Sequence, residues 1–364
     1  MCSLDNCKPE GKQITRSGGA ITVADLPEAV QDRVRHYQAA AQSRNTSAAC
    51  GVQLRLFQAW CRQHGYSDAP PVAPAIVAAW LTERAAAGIG RSTLGVALAA
   101  IKAGHKVVGK RFDSADPDLQ RAIAGARREA VREQRQAAPL RPTILGDVLA
   151  GLGDSDLDRR NAAMLAALYM LALRRSELVE IDYQTRGDGL AVLRLADHGL
   201  ELELLQSKTN QEDAVRIAVD RHHNPKAFAA LEQWIGHSRI APGTPLFRRI
   251  RPRGGIGGRI TPDGVNRAIK AALRRYYVST GVDAEKARRL AAKFPGHSGR
   301  VGFVVAAKES GAADTDIAAT TRHKSLQMIK RYGEAAEQRA RAPHRLKAWV
   351  CKADITAIVI RVLT

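Results

Sequence analysis

The second half of the chain carries seven side chains whose types and order suit chemistry on a phosphodiester. In chain order they are Arg174, Glu177, Lys208, His297, Arg300, His323 and Tyr332. Arginines bind phosphate oxygens through paired hydrogen bonds, histidine and lysine transfer protons, and a tyrosine phenol can act as a nucleophile. If these side chains converge in space, they form a set that attacks a phosphodiester through a tyrosine, with no metal or other cofactor.

The first pair lies close to a strongly apolar segment. Residues 161–173 predict a buried helix, and Arg174 and Glu177 follow at a spacing that places both on one face. An arginine at the end of an apolar run is costly unless it has an anionic partner. The pair is therefore either part of a phosphate site or a structural ion pair.

His297 and Arg300 repeat the same spacing after a Pro295-Gly296 break. The next stretch, residues 301–307, is apolar, which predicts that the pair stands at the start of a core helix. The N-terminus of a helix favours a bound anion.

Lys208 is predicted at the tip of a hairpin. Residues 200–204 alternate leucine with glutamate, residues 214–219 form a second strand pattern, and residues 206–213 read as the turn between them.

Tyr332 follows His323 by nine residues, with Leu326, Met328 and Ile329 between them as predicted core contacts. A single tyrosine is more often a packing residue than a nucleophile. Six others compete for the role: Tyr37, Tyr66, Tyr169, Tyr183, Tyr276 and Tyr277.

The charge balance indicates a polyanionic partner. The 364 residues include 56 Lys and Arg against 36 Asp and Glu, a formal charge of +20. This favours nucleic acid over an acidic membrane, although a basic surface can also be merely solvated.

The five cysteines are scattered without a C-x-x-C pair, which is typical of a reducing compartment. Cys50 and Cys61 are predicted core residues. The sequence shows neither a signal peptide nor a membrane span, so we expect a cytoplasmic protein.

The helical patterns suggest two domains. We expect a flexible arm over 1–24, a helical domain over 25–130, a basic linker over 131–142, a second domain over 143–340 and a terminal helix or tail over 341–364. In the first domain the predicted helices are Thr46–His64 (with Thr46 or Ser47 as N-cap), Ile76–Arg84, Ser92–Val108 and Pro117–Glu129.

Two groups of basic residues are candidate DNA contacts. The first follows one predicted helix of the first domain: Arg91, Ser92, Lys102, Lys106, Lys110 and Arg111. The second lies on a glycine-rich loop and the helix after it: Arg248, Arg249, Arg251, Arg253, Arg259 and Arg267. Basic residues on such a loop can follow a phosphate backbone, whereas charges on one helix face are often only solvated.

Taken together, these motifs resemble the tyrosine recombinase (phage integrase) family, and within it the Cre-like members. The boxes that carry the resemblance are LALRRSELVEI (171–181), QSKTN (206–210) and GHSGRVG (296–302), followed by His323 and Tyr332. TSAACGVQLRLFQAWC (46–61) resembles the family's core-binding domain. The first box holds two successive arginines, and Arg174 is chosen over Arg175 because it stands three residues before the acid, as in the family.

The resemblance implies a mainly α fold with a small antiparallel β-sheet in the catalytic domain. The helical core-binding (SAM-like) domain and the catalytic domain would form a C-shaped clamp around double-stranded DNA. It also implies a homotetramer on inverted-repeat target sites, no membrane association, and cleavage through a 3′-phosphotyrosine. In that scheme Arg174 and Arg300 clamp the phosphate, with Glu177 orienting the arginine region. Lys208 protonates the leaving oxygen, His297 assists removal of the tyrosine proton, and His323 hydrogen-bonds the phosphate.

The apolar tail is expected either to pack on a neighbouring subunit or to cover its own core. Two other readings remain: a type IB topoisomerase-like enzyme, and a DNA-binding protein that has lost its chemistry.

Overall fold

The computed structural model describes residues 23–40, 44–129, 137–205, 214–323, 325–330 and 332–333. The chain divides into two compact units, Met1–Gln134 and Arg135–Thr364. Most of the predicted N-terminal arm, the turn that carries Lys208 and the C-terminal tail lie outside the described residues. Within the described ranges, none of the helices has the length and apolarity needed to cross a bilayer.

The first unit is helical. After a 3-10 turn at Val23–Asp25, its helices are α1 (Glu28–Ala40), α2 (Arg44–Gln63), α3 (Pro74–Ala86), α4 (Arg91–Val107) and α5 (Pro117–Glu129). Proline suits the first helical turn because its missing N–H would have no partner there, and both α3 and α5 begin with one. The pairs α2 with α4 and α3 with α5 pack against each other.

The core of this unit is aromatic and aliphatic. Phe57 meets Trp80 edge to face with 5.0 Å between ring centroids, and Cys61 is fully buried beside them. Two expectations for α2 were wrong. The helix begins at Arg44, so the predicted N-caps Thr46 and Ser47 lie inside it. Cys50 is only partly buried, so it is not a core residue. The buried face of α2 runs through Phe57 and Cys61, and Val52 and Leu56 are exposed.

The second unit combines eight helices with two sheets among its described residues. The helices are α6 (Pro142–Gly151), α7 (Asp156–Met170), α8 (Arg175–Val179), α9 (Pro225–Ser238), α10 (Pro262–Ser279), α11 (Ala284–Ala291), α12 (Ser298–Glu309) and α13 (Asp314–Thr321). Residues 326–330 and 332–333 are also helical. The central element is α7, which is buried from Ala163 to Met170 and packs against α9, α10 and α12. It begins five residues earlier than the apolar pattern predicted, at an N-cap serine whose hydroxyl accepts from the backbone N of Asp158.

The larger sheet has the order β1 (Ile181–Tyr183), β2 (Ala191–Ala196), β3 (Gly199–Leu204), β4 (Val215–Asp220). The predicted hairpin partners β3 and β4 do pair antiparallel, with Leu204 opposite Val215. The sheet is mixed rather than purely antiparallel, because β1 joins β2 in parallel. A return loop makes this possible: the buried carboxylate of Asp182 accepts the backbone N–H groups of Gly187 and Gly189 at 2.8 Å each.

The glycine-rich basic segment is a second hairpin rather than an open loop. Its strands are β5 (Arg248–Ile250) and β6 (Ile256–Arg259), which pair antiparallel. Gly254 and Gly255 form the turn with φ values of 84° and 87°, a conformation that favours glycine.

Two glycines let α12 approach its neighbours closely. A Cβ at Gly299 would lie 3.0 Å from the Leu168 side chain on α7. A Cβ at Gly302 would lie 2.6 Å from the carbonyl carbon of Leu140, and closer still to its oxygen. These contacts fix the depth at which the start of α12, with Arg300, sits in the unit.

Candidate active site

Arg174 stands at a helix start, not at the end of the apolar helix as the sequence suggested. Helix α7 ends at Met170, Ala172 turns the chain with φ 45°, and Arg174 is the N-cap of the short helix α8. Glu177 on α8 accepts hydrogen bonds from the Arg174 backbone N at 2.8 Å and from its Nη1 at 2.6 Å. Because only 5% of the Glu177 side chain is exposed, this charged pair is largely shielded from water.

The structure also distinguishes the two successive arginines. Arg174 faces Glu177, whereas Arg175 points to the surface and lies 3.5 Å from Asp263. Of the two, only Arg174 lies with the other candidate residues.

Arg300 reaches the same place from α12. It is fully buried, and its Nη1 donates to the carbonyl oxygen of Ala172 at 3.0 Å. Among the described residues, its Nε and Nη2 have no hydrogen-bond partner. Burial, and after it the charges of Arg174 and Arg322, lowers the pKa of Arg300 to about 9, so it is still protonated at neutral pH. A buried cation with unused donors is costly unless an anion binds there.

His297 precedes Arg300 as the N-cap residue of α12. Burial, followed by the charges of Arg300 and Arg174, lowers its pKa to about 4. The imidazole is therefore neutral at physiological pH and can accept a proton.

His323 lies just after α13 and is also neutral. Burial, followed by the charges of Arg300 and Arg174, lowers its pKa to about 3. Its Nδ1 lies 2.6 Å from the hydroxyl of Thr321, and that hydroxyl donates to the carbonyl of Ile317 at 2.5 Å. A hydroxyl has one proton, so the network assigns the ring proton to Nδ1 and leaves Nε2 as an acceptor. The hydrogen bond from His323 to the phosphate, which the family resemblance implies, stays a prediction.

Tyr332 lies beside His323, with 6.5 Å between ring centroids and 55° between the ring planes. The tyrosine is 8% exposed, and it lies close enough for its charge to act on Arg300. Ile329, one turn earlier, is fully buried and anchors this segment. Leu326 and Met328 are exposed, so their predicted core role was wrong: a helix buries one face, and here that face carries Ile329 and Tyr332.

Six of the seven predicted residues thus come from four separate places in the second unit and meet in one cluster. The seventh, Lys208, lies outside the described residues. The strands that flank its turn end at Leu204 and start again at Val215. Among the described residues, no group of three or more His, Cys, Asp or Glu side chains is arranged to hold a metal ion.

Comparison with known proteins gives one sequence relative and several related folds. No protein-family model matches the chain. Over 299 residues it is 27% identical to a protein named integrase/recombinase XerD homolog from Selenomonas ruminantium, covering 80% of this chain and 81% of that protein. The Tn1549 transposon integrase, solved with transposon right end DNA, matches 86% of this chain and 98% of its own at a TM-score of 0.53 and 14% identity. A lambda integrase fragment, solved as a dimer on a core site, matches 87% and 98% at a TM-score of 0.50 and 16% identity.

The chain is similar in sequence to a named integrase/recombinase and has the fold of the solved integrases. Its mainly α fold with a small sheet is confirmed by the integrase structures. Compared with these similarities in sequence and fold, the resemblance of residues 296–302 to Cre is minor.

The cluster contains one residue that the sequence motifs did not single out. Arg322 is 6% exposed, and its Nη2 donates to Glu177 at 3.1 Å and to the Ala172 carbonyl at 3.3 Å. The only sequence signal is a basic residue directly before His323. Its partners stand 145 and 150 positions earlier, so no local spacing reveals the contact.

The basic residues predicted as DNA contacts fall into two groups. On the first unit, Lys102, Lys106, Lys110 and Arg111 are exposed and line a shallow cavity with Gly109 and Phe112. Arg91 and Ser92 are exposed at the other end of α4.

On the second unit, Arg249, Arg251, Arg253 and Arg267 are exposed. Arg248 and Arg259 differ, because protein acceptors hold their guanidinium groups. Arg248 donates to the Ser238 carbonyl at 3.0 Å, and Arg259 bonds Asp182 at 2.7 Å and also pairs with Asp188.

Proposed function

We propose that this protein is a site-specific DNA recombinase that cuts and rejoins strands through a covalent link to Tyr332. The observation that supports it most directly is the convergence of Arg174, Arg300, His323 and Tyr332 in one buried cluster. The name of its sequence relative, integrase/recombinase, agrees with this activity.

The arginines supply the phosphate site. Nε and Nη2 of Arg300 have no acceptor among the described residues, and Arg174 lies close enough for its charge to act on Arg300. Two guanidinium groups can hold the non-bridging oxygens on which charge accumulates during attack.

Tyr332 supplies the nucleophile. Its phenol oxygen attacks phosphorus while its proton passes to a neutral histidine, and the bond from phosphorus to the 5′-oxygen breaks. His323 is the better-placed acceptor of this proton, because Thr321 holds the ring proton on Nδ1 and the imidazole ring lies next to Tyr332. His297 is the second neutral imidazole of the cluster.

The leaving 5′-oxygen takes a proton from Lys208, which we assign as general acid on the family resemblance. The product is a 3′-phosphotyrosine and a free 5′-hydroxyl. Attack by a 5′-hydroxyl from another strand reverses the same steps and rejoins the DNA. The phosphotyrosine keeps the bond energy, so the scheme needs no nucleotide.

The partner in this proposal is double-stranded DNA with inverted repeats, bound by a homotetramer. The basic residues at the end of α4 and on the β5–β6 hairpin would contact phosphates and thereby position the duplex. A DNA partner places the activity in the cytoplasm. The Tn1549 integrase was solved with transposon right end DNA, and the lambda integrase fragment was solved on a core site. Relaxation by a topoisomerase-like enzyme and DNA binding without chemistry are less favoured, because the named relatives are recombinases and integrases.

A nicked suicide substrate tests the proposal. It is built on the DNA fragment that the protein protects, so that cleavage releases a short strand and traps the protein on DNA. Wild type should form a covalent adduct, and Tyr332→Phe should bind the same DNA but form none.

Tyr169→Phe is the matched control, because Tyr169 is equally buried in the same unit but packs against Phe303. It should keep the adduct. An adduct that persists in Tyr332→Phe would refute the assignment of the nucleophile. Binding without any adduct in wild type would favour the DNA-binding reading. Relaxation of a two-site plasmid without strand exchange would favour the topoisomerase.

A further inference from the structure

We propose that Arg322 is a positioning residue of the cleavage reaction, which acts by holding Glu177 and the Ala172 carbonyl around the two phosphate-binding arginines. The inference rests on the proposed function. The buried guanidinium of Arg322 lies in the cluster but is not part of the sequence motifs that indicated the site.

Arg322 shares both of its anchors with the other two arginines. Glu177 accepts from Arg174 at Oε1 and from Arg322 at Oε2. The carbonyl of Ala172 accepts from Arg300 at 3.0 Å and from Arg322 at 3.3 Å. Arg322 therefore links the carboxylate that orients Arg174 to the carbonyl that orients Arg300.

Both terminal nitrogens of Arg322 donate to the protein rather than to substrate. Nη2 serves Glu177 and Ala172, and Nη1 donates to the Thr320 carbonyl at 3.3 Å. Oε2 of Glu177 accepts from Arg322 and from the backbone N of Arg174, while Oε1 accepts from Nη1 of Arg174. Removal of Arg322 would leave Arg174 as the partner of both carboxylate oxygens and would draw its guanidinium toward the carboxylate and away from a phosphate.

The backbone at Arg322 supplies a control for this proposal. Arg322 ends α13 with φ 57° and ψ 44°, a left-handed conformation in which glycine is the favoured residue. Arg239 ends α9 in the same conformation, so a comparison of the two positions separates the backbone effect from the contacts of the Arg322 side chain.

Charge matching explains what the third arginine adds. Three arginines and one glutamate give the cluster +3 − 1 = +2. A phosphodiester carries one negative charge, and the five-coordinate phosphorus formed by attack of a phenolate carries two. A cluster of +2 favours that transition state more than the bound substrate, and only such differential binding raises the rate of cleavage.

The test compares two glycine variants at equivalent backbone positions. Arg239 caps α9 with φ 46° and is exposed, so Arg239→Gly releases the same backbone strain away from the cluster. Arg239→Gly should keep or raise the thermal midpoint of the DNA-free protein, whereas Arg322→Gly should lower it, because it removes one of the buried partners of Glu177. Only Arg322→Gly should slow adduct formation at saturating DNA, by about 10- to 100-fold, as is typical when a residue that orients a reactive group is lost. The Kd for DNA should change little.

A substrate without a charge on the scissile group distinguishes an electrostatic role of Arg322 from general damage to the folded protein. A methylphosphonate at the scissile position removes one negative charge, so the defect of Arg322→Gly should shrink about tenfold or more on it. Arg322→Lys keeps the charge, so its rate of adduct formation should lie between those of Arg322→Gly and wild type. If Arg322→Gly fails to fold, the same comparison of the two substrates is made with Arg322→Lys. Equal cleavage by Arg322→Gly and wild type, or the same defect on both substrates, would overturn the inference. Absence of any adduct in wild type would instead overturn the proposed function.

Discussion

Replacing Glu177 by glutamine removes the one carboxylate that compensates the arginines of the cluster. Its side chain is 5% exposed and accepts from the Arg174 backbone N at 2.8 Å, from Arg174 Nη1 at 2.6 Å and from Arg322 Nη2 at 3.1 Å. Burial by itself would raise the pKa of the carboxyl. The charges of Arg322 and Arg174, with the hydrogen bonds from Arg174, nevertheless hold it below its usual value. The charged form is therefore the one that the fold stabilises.

The size of the effect follows from these contacts. Removing one partner of a buried ion pair costs about 3–5 kcal/mol, because the remaining charge stays buried without compensation. Glutamine keeps the shape and one carbonyl acceptor, so we expect a loss of about 3 kcal/mol in the free energy of unfolding, at the lower end of that range. Adding Arg322→Gly to the Glu177→Gln background removes one of the uncompensated charges. The double variant should therefore recover about half of the loss, a non-additivity typical of residues in contact.

Urea unfolding of the DNA-free protein at pH 7.5 measures both values. Glu180→Gln is the matched control, because this acid lies three residues further along and is only partly buried. It should change stability by less than about 0.5 kcal/mol. A Glu177→Gln variant as stable as this control would refute the account of the cluster. A double variant less stable than Glu177→Gln alone would refute the role of Arg322 in it.

Two further predictions concern packing and pH. Gly302→Ala should destabilise the protein by about 2 kcal/mol or more and slow cleavage, because its Cβ would overlap the Leu140 carbonyl. Gly146→Ala, also helical but with open space around the added Cβ, should instead stabilise by about 0.5–1 kcal/mol, and urea unfolding of both checks the contrast. For His297 and His323, folding lowers the pKa from 6.5 to about 4 and about 3. Between pH 6.5 and 4 the unfolded chain binds protons that the folded chain does not. The free energy of unfolding should therefore decrease as the pH is lowered, by up to about 1.4 kcal/mol per pH unit for each histidine. Glutamine at both positions should flatten that slope in a pH series of unfolding curves, and an unchanged slope would contradict the pKa shifts.

Much of the local structure could be predicted from the sequence. Helix α5 has the predicted bounds, and the alternating leucines of β3 are buried as their period requires. His297 and Arg300 do stand at the start of a core helix. These features depend on residues within a few positions of each other, where spacing fixes which side chains share a face.

Exposure and helix starts were less predictable. Val52 and Leu56 have the spacing of a buried face, yet the core contact of α2 runs through Phe57 and Cys61. The parallel pairing of β1 depends on the buried carboxylate of Asp182 and on Arg259, which arrives from another part of the chain. No pattern within β1 itself contains that information.

The sequence by itself determined the chemical types present, their order, and the local pairs of Arg174 with Glu177 and of His297 with Arg300. The tertiary structure alone decided that these pairs meet around the Ala172 carbonyl and that Arg322 joins them. The physical reason is that a buried charge is stable only where opposite charges and acceptors from distant segments are folded against it. That compensation is a property of the packed unit, and it determines both the neutral histidines and the charge of the cluster.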